Sequence, residues 1–128
     1  MKKLHLNLRK KWFDMILSGE KKEEYREYKS YWRKRLTRPC PKCDRWCNDG
    51  SCECGGYYDE KEKKWHFGVI PKEFDIVVFS NGYHKNRRQF EIELKEMRYG
   101  LPRKYSWGGG KENCIILELG KITKRIRC

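Results

Sequence analysis

The sequence predicts a small α+β domain, a mixed β-barrel with two short helices at its rim, and three observations carry that expectation. Residues 4–8 (Leu-His-Leu-Asn-Leu) alternate apolar with polar, the period of a half-buried strand. Trp12, Phe13, Ile16 and Leu17 then recur at helical spacing, one apolar stripe on a short helix over 10–18. Later runs at 74–79, 87–97 and 115–119 are rich in Val, Ile, Phe and Leu and read as core strands. At 128 residues the chain lies within the ordinary size of one domain, so 1–128 is read as a single unit.

The elements follow in order. The leucines of 4–8 face the core, and His5 faces the other way as a solvated strand residue. Gly19 follows the last periodic residue of the first helix, where a left-handed C-terminal cap is expected. Residues 22–26 then form a charged strand, with Glu24 and Arg26 on one face and Glu23 and Tyr25 on the other. Lys21 sits at the corner between helix and strand, close enough for its ammonium to join Glu24 and Arg26. Charge of this density also suits an exposed edge strand protected from aggregation. A second helix is expected within 28–36, starting near Ser30 as N-cap, with Tyr31, Trp32 and Leu36 on its buried side. Arg33, Lys34, Arg35 and Arg38 cluster there as a candidate phosphate-contacting surface. The same four suit the solvated face of a helix.

Residues 37–66 differ in composition and read as an insertion. Cys40-x2-Cys43 has the spacing of a metal knuckle, and Cys52-x-Cys54 can supply two further thiolates, completing a tetrahedral structural Zn²⁺ site. Cys47 is the alternate ligand, and His66 is a weaker candidate. Residues 57–65 return the insertion as a hairpin or loop. Beyond it, 74–79 is a central strand, and Ser80-Asn81-Gly82-Tyr83 is a turn. The strand over 87–97 alternates through Phe90, Ile92 and Leu94, with Met97 out of phase. A glycine-rich loop over 100–113 carries Trp107, and 115–119 is the last core strand before a basic strand or tail at 120–128.

Thirty-one Lys and Arg against eighteen Asp and Glu give a net charge of +13, which points to a polyanionic partner. Interleaving of these cations with five Trp, eight Tyr and five Phe favours nucleic acid over a membrane surface. No signal peptide is evident after Met1, and no apolar run reaches the roughly 18 residues of a membrane helix. The expected setting is cytoplasmic, where clustered cysteines favour metal over disulfides.

The pattern Trp12-x3-Ile16-x2-Gly19-x-Lys21-x2-Glu24-x-Arg26, then Tyr31-Trp32-x3-Leu36, then Phe74-Asp75-Ile76-Val77-x2-Ser80-Asn81-Gly82, resembles the ASCH domain family. The resemblance covers about residues 4–36 and 67–122 and leaves the cysteine segment outside. It implies a PUA-like β-barrel, with a cleft lined by 19–26 that binds RNA or a nucleotide-like ligand. Some small ASCH proteins hydrolyse the amide of N4-acetylcytidine, and others act as ribonucleases. In the first group the segment carries a lysine, matched by Lys21, and an arginine, matched by Arg26. Glu24 stands where that group has a threonine nucleophile, which favours binding over that chemistry.

Lys21, Glu24 and Arg26 are therefore the candidate ligand-binding group, with Asn81 approaching through the backbone and Tyr83 or Trp107 stacking on a base. Trp107 equally suits a cap on the barrel. The leading function is an RNA- or nucleotide-binding domain. The alternative is a hydrolase of RNA or a modified nucleoside with Lys21 and Glu24 as its proton-transfer pair. A third reading makes the cysteine insertion a protein-binding surface.

Overall fold

The computed structural model describes residues 2–39, 57–61, 63–66 and 70–128. Cys40, Cys43, Cys47, Cys52 and Cys54 lie outside the described residues. Among the described residues the elements run in the order β1 (Lys3–Asn7), α1 (Lys10–Leu17), β2 (Glu23–Glu27), α2 (Ser30–Leu36), β3 (Thr37–Arg38), β4 (Tyr57–Asp59), β5 (Lys64–His66), β6 (Ile70–Pro71), β7 (Ile76–Asn81), β8 (Arg88–Gly100) and β9 (Cys114–Arg127), with a 3₁₀ turn at Tyr105–Trp107.

Five strands make one sheet in the order β1-β7-β8-β9-β2. β1 runs parallel to β7, and the other neighbours are antiparallel. The sheet curls into a half-barrel, and Arg26 on β2 donates from Nη2 to the carbonyl of Asn7 on β1 at 3.0 Å. One side chain thus spans the two outer edges. β3 pairs with β6, closing the base of the segment between them, and β4 with β5 forms a separate hairpin.

The core fills the inner face. Leu4, Leu6 and Leu8 meet Phe13 and Ile16 of α1, Leu36 of α2, Val77 and Phe79, and the inward residues of β8 and β9. Phe13 packs edge-on against Phe90 with ring centroids 4.9 Å apart, fixing α1 over the sheet. Gly19 has φ +87°, the left-handed backbone that ends α1 sharply and turns the chain toward β2.

Several expectations need correction. Ser30 is the first helical residue of α2 rather than its cap. Lys29 holds the N-cap position with no side-chain cap, because a backbone turn from Lys29 N–H to Glu27 O brings the chain directly out of β2. Ser80 and Asn81 continue β7 opposite Gln89 and Arg88, so the turn begins at Gly82. Met97 is buried in phase with Leu94, because Lys95 is bulged out between the pairs Leu94–Leu119 and Glu96–Glu118. Of the strand or tail expected over 120–128, the strand holds, continuing the core strand through Gly120 so that residues 114–127 are one element.

Candidate functional site

Period-two alternation on β2 sends Glu24 and Arg26 to one face, and Lys21 arrives from the corner after α1. Lys21 and Glu24 are 3% and 5% exposed, a deep position for two charged side chains. Lys21 Nζ lies 3.0 Å from Glu24 Oε1, and Arg26 Nη2 lies 2.6 Å from Glu24 Oε2. One carboxylate therefore bridges two cations.

The remaining contacts hold the cations in place. Lys21 Nζ donates to the carbonyl of Trp107 and stands 4.5 Å from the centroid of the Trp12 ring. Gly108, at φ +92°, follows this carbonyl, and a Cβ there would come within 3.2 Å of Trp12. The left-handed backbone and the close approach to Trp12 together favour glycine at that position. The Arg26 guanidinium lies 4.6 Å from the Trp32 ring, in cation–π geometry. Arg26 Nε is buried and meets no acceptor among the described residues, an unspent donor of the kind that calls for an explanation. Burial holds the Lys21 pKa below its ordinary 10.5. Glu24 opposes that shift, and Arg26 adds to it.

These groups form the floor of an open cleft of about 1200 Å³ between the two edges of the sheet. Its lining includes the cations Arg9, Lys21, Arg26, Arg35 and Arg87 against the carboxylates Glu24 and Glu27. Trp12, Tyr31, Trp32 and Tyr83 supply aromatic surface. Tyr31 and Tyr83 are exposed, at 61% and 88%, and stand at the rim. The excess of positive charge beside ring faces suits a ligand that is both anionic and planar.

The candidate residues divide into two groups. Lys21, Glu24, Arg26, Tyr83 and Trp107 come together around the cleft. Trp107 is 9% exposed, and it contributes its carbonyl to Lys21. Asn81 is committed to the fold, its amide donating to the carbonyl of Leu8 at 2.9 Å. Of the basic residues assigned to α2, Arg35 reaches the cleft, donating to the carbonyl of His5 and, at 2.8 Å, to the Tyr31 hydroxyl. Arg33 lies 5.8 Å from the Tyr28 ring, Lys34 is exposed, and Arg38 stands opposite Ile70 in the short ladder.

Sequence reasoning assigned Trp12 and Trp32 to the core and left Asn7, Arg9 and Arg87 without a role. Both tryptophans do pack against the core, yet each also presents its ring to a cleft cation. Their position directly before and after the Lys21–Arg26 segment was the available signal.

Comparison of the chain with family models, curated proteins and solved structures finds no match. Among the described residues no group of three or more His, Cys, Asp or Glu side chains could hold a metal ion, and no helix is long and apolar enough to cross a membrane.

Proposed function

We propose that the cleft binds RNA or a nucleotide-like ligand, taking phosphate on Arg26 and its neighbouring cations and a base against Trp32 and Tyr31. The observation that carries this reading is the floor of the cleft: Glu24 balances only one of two cations, the buried Lys21 and the half-buried Arg26, and the buried Arg26 Nε–H meets no acceptor among the described residues. An anionic ligand would balance the spare charge, and a turn of the Arg26 side chain toward the cleft would bring its Nε–H to the same anion. Fluorescence anisotropy with labelled single-stranded RNA tests it, with affinity expected to fall steeply as salt rises. Trp32→Ala is expected to weaken binding by about 1–3 kcal/mol, and Arg26→Gln to weaken it and flatten the salt dependence. No binding of single- or double-stranded RNA at low salt would end this reading.

One observation favours a second reading, a hydrolase of RNA or a modified nucleoside. Burial lowers the Lys21 pKa beside a carboxylate, as a proton-transfer pair requires. Against it, both oxygens of Glu24 are held by cations. Turnover that survives Arg26→Gln but is lost in Lys21→Ala and Glu24→Gln would favour catalysis.

The kinship we propose is ASCH-like, with the curled sheet as a PUA-like barrel. Its support is the convergence of Lys21, Glu24 and Arg26 in one cleft between two helices. The structural Zn²⁺ on Cys40, Cys43, Cys52 and Cys54, with Cys47 the alternate, rests on ligand spacing alone. Elemental analysis is expected to find one zinc per chain.

A further inference from the structure

A second electropositive surface lies beyond the cleft. Neither 76–90 nor 119–128 contains an aspartate or glutamate. The ladder between β8 and β9 sets these segments side by side, with Gln89 opposite Arg127 and Phe90 opposite Arg125. Lys85, Lys121, Lys124, Arg125 and Arg127 are all exposed, and none has a carboxylate partner among the described residues. Of the nearby acidic groups, Asp14 pairs with Arg88, and Glu91, which stands opposite Lys124 in the ladder, pairs with Lys3; the exposed Glu93 lies beside Gly120 at the start of this surface.

This surface is continuous with the cleft. Arg87 lines the cleft, and Tyr83 stands 88% exposed in the same turn. Arg127 Nη1 donates to the carbonyl of Lys85 at 3.3 Å, bringing the end of β9 against that turn. The route from the cleft therefore runs over Tyr83, Arg87 and Lys85 to Arg127 and along the edge of β9, which Arg125 and Lys124 flank from its two faces, opposite Phe90 and Glu91.

β2 pairs with β9 from Cys114 to Glu118, Leu119 N–H donates to the carbonyl of Lys22, and beyond it no strand among the described residues pairs with that edge of β9. That edge is a poor template for an added strand. Its register shifts between Gln89 and Phe90, between Glu91 and Ile92, and between Ile92 and Leu94, and bulges with lysines are devices that prevent edge pairing. Cations on a backbone that resists strand addition suit a flexible polyanion, and an exposed tyrosine on the route gives one of its bases a platform.

We propose that this surface is a phosphate track that carries single-stranded RNA onward from the cleft, so that the ligand is a strand of several nucleotides rather than one nucleotide. The proposal rests on the reading of the cleft as a nucleotide site.

The test compares the full chain with its K124Q/R125Q/R127Q variant, whose three substitutions lie at exposed positions, after circular dichroism confirms the fold. Binding of a labelled long oligouridylate is followed across salt, and uridine monophosphate is titrated in parallel. Loss of three phosphate contacts is expected to reduce the slope of log affinity against log salt by about 2 for the oligomer. The monophosphate should bind both proteins equally. An unchanged oligomer slope overturns the track and leaves the cleft reading standing. Failure of the unaltered chain to bind either probe overturns both. Polyglutamate competing as well as an oligouridylate of equal charge would overturn the assignment to nucleic acid.

Discussion

Glu23 and Glu24 are neighbours on one strand, both buried, yet they organise opposite faces of β2 in different ways. Glu23, 2% exposed, accepts from Arg98 at 2.6 Å and from the Tyr25 hydroxyl at 2.8 Å, with Arg103 at 3.5 Å. Arg98 also reaches Glu118, and the Tyr25 hydroxyl accepts from the backbone of Lys104. That cluster ties β2 to β8, β9 and the loop that follows β8, and its carboxylates balance its cations. Glu24 instead holds two cations that face an aromatic-walled cleft, one with a donor that meets no acceptor among the described residues. A closed and balanced buried network is tethering, whereas an open network with charge to spare is built for a ligand.

The contrast can be tested by removing its parts. Glu24→Ala should have the largest effect on stability, because it leaves the buried Lys21 beside the half-buried Arg26 without their carboxylate. A loss of about 3–5 kcal/mol is expected in urea unfolding. Lys21→Met should cost clearly less, since Glu24 keeps Arg26 and the desolvated cation is gone. Equal losses would break the view of Glu24 as the hub.

Glu23→Gln should cost about 1–3 kcal/mol, the scale of hydrogen bonds to a charged group. It should alter RNA affinity far less than Arg26→Gln does. The opposite ordering would make the Glu23 face the functional one.

Alkaline pH separates the faces by sign. Burial, then the bond to Glu23, pushes the Tyr25 pKa up to about 12, and burial pushes the Cys114 thiol to about 11. Both are neutral when protonated, so their folded pKa values above 10.0 and 9.0 cost stability as pH rises through those ordinary values toward the folded ones. Lys21 acts oppositely, because its lowered folded pKa makes the unfolded chain bind more protons, and stability gains between that pKa and 10.5. Across pH 8–11 in urea, Cys114→Ala should therefore lose less stability than the unaltered chain, and Lys21→Met should lose more.

The smallest effect belongs to Lys29, whose 2.7 Å pair with Glu27 is fully exposed. Lys29→Ala should leave the unfolding midpoint unchanged within error.

Much of this arrangement was legible from local pattern. Alternation placed Glu24 with Arg26, and the glycine after a periodic stripe marked the turn that delivers Lys21. Trp12 and Trp32 were harder to place. An aromatic on a two-turn helix can serve core and cleft at once, and periodicity registers only the core. The parallel pairing of β1 with the distant β7 puts β1 at one end of the sheet, whose curl then brings Asn7 to Arg26 at the other, and no local signal encodes either. Met97 was misjudged because a single bulged lysine changes the phase of a strand. The phosphate track was hidden for a similar reason: its cations come from two segments joined only by the ladder.

The most direct test of the division between the two faces is ultraviolet cross-linking of bound single-stranded RNA, with the modified residues mapped by mass spectrometry. Adducts are expected on Trp32, Tyr31 or Trp12, with Tyr83 at the rim, and they should disappear in Arg26→Gln. Adducts confined to the loop over 101–106, or to the cysteine segment, would contradict the assignment of the Glu24 face as the binding site.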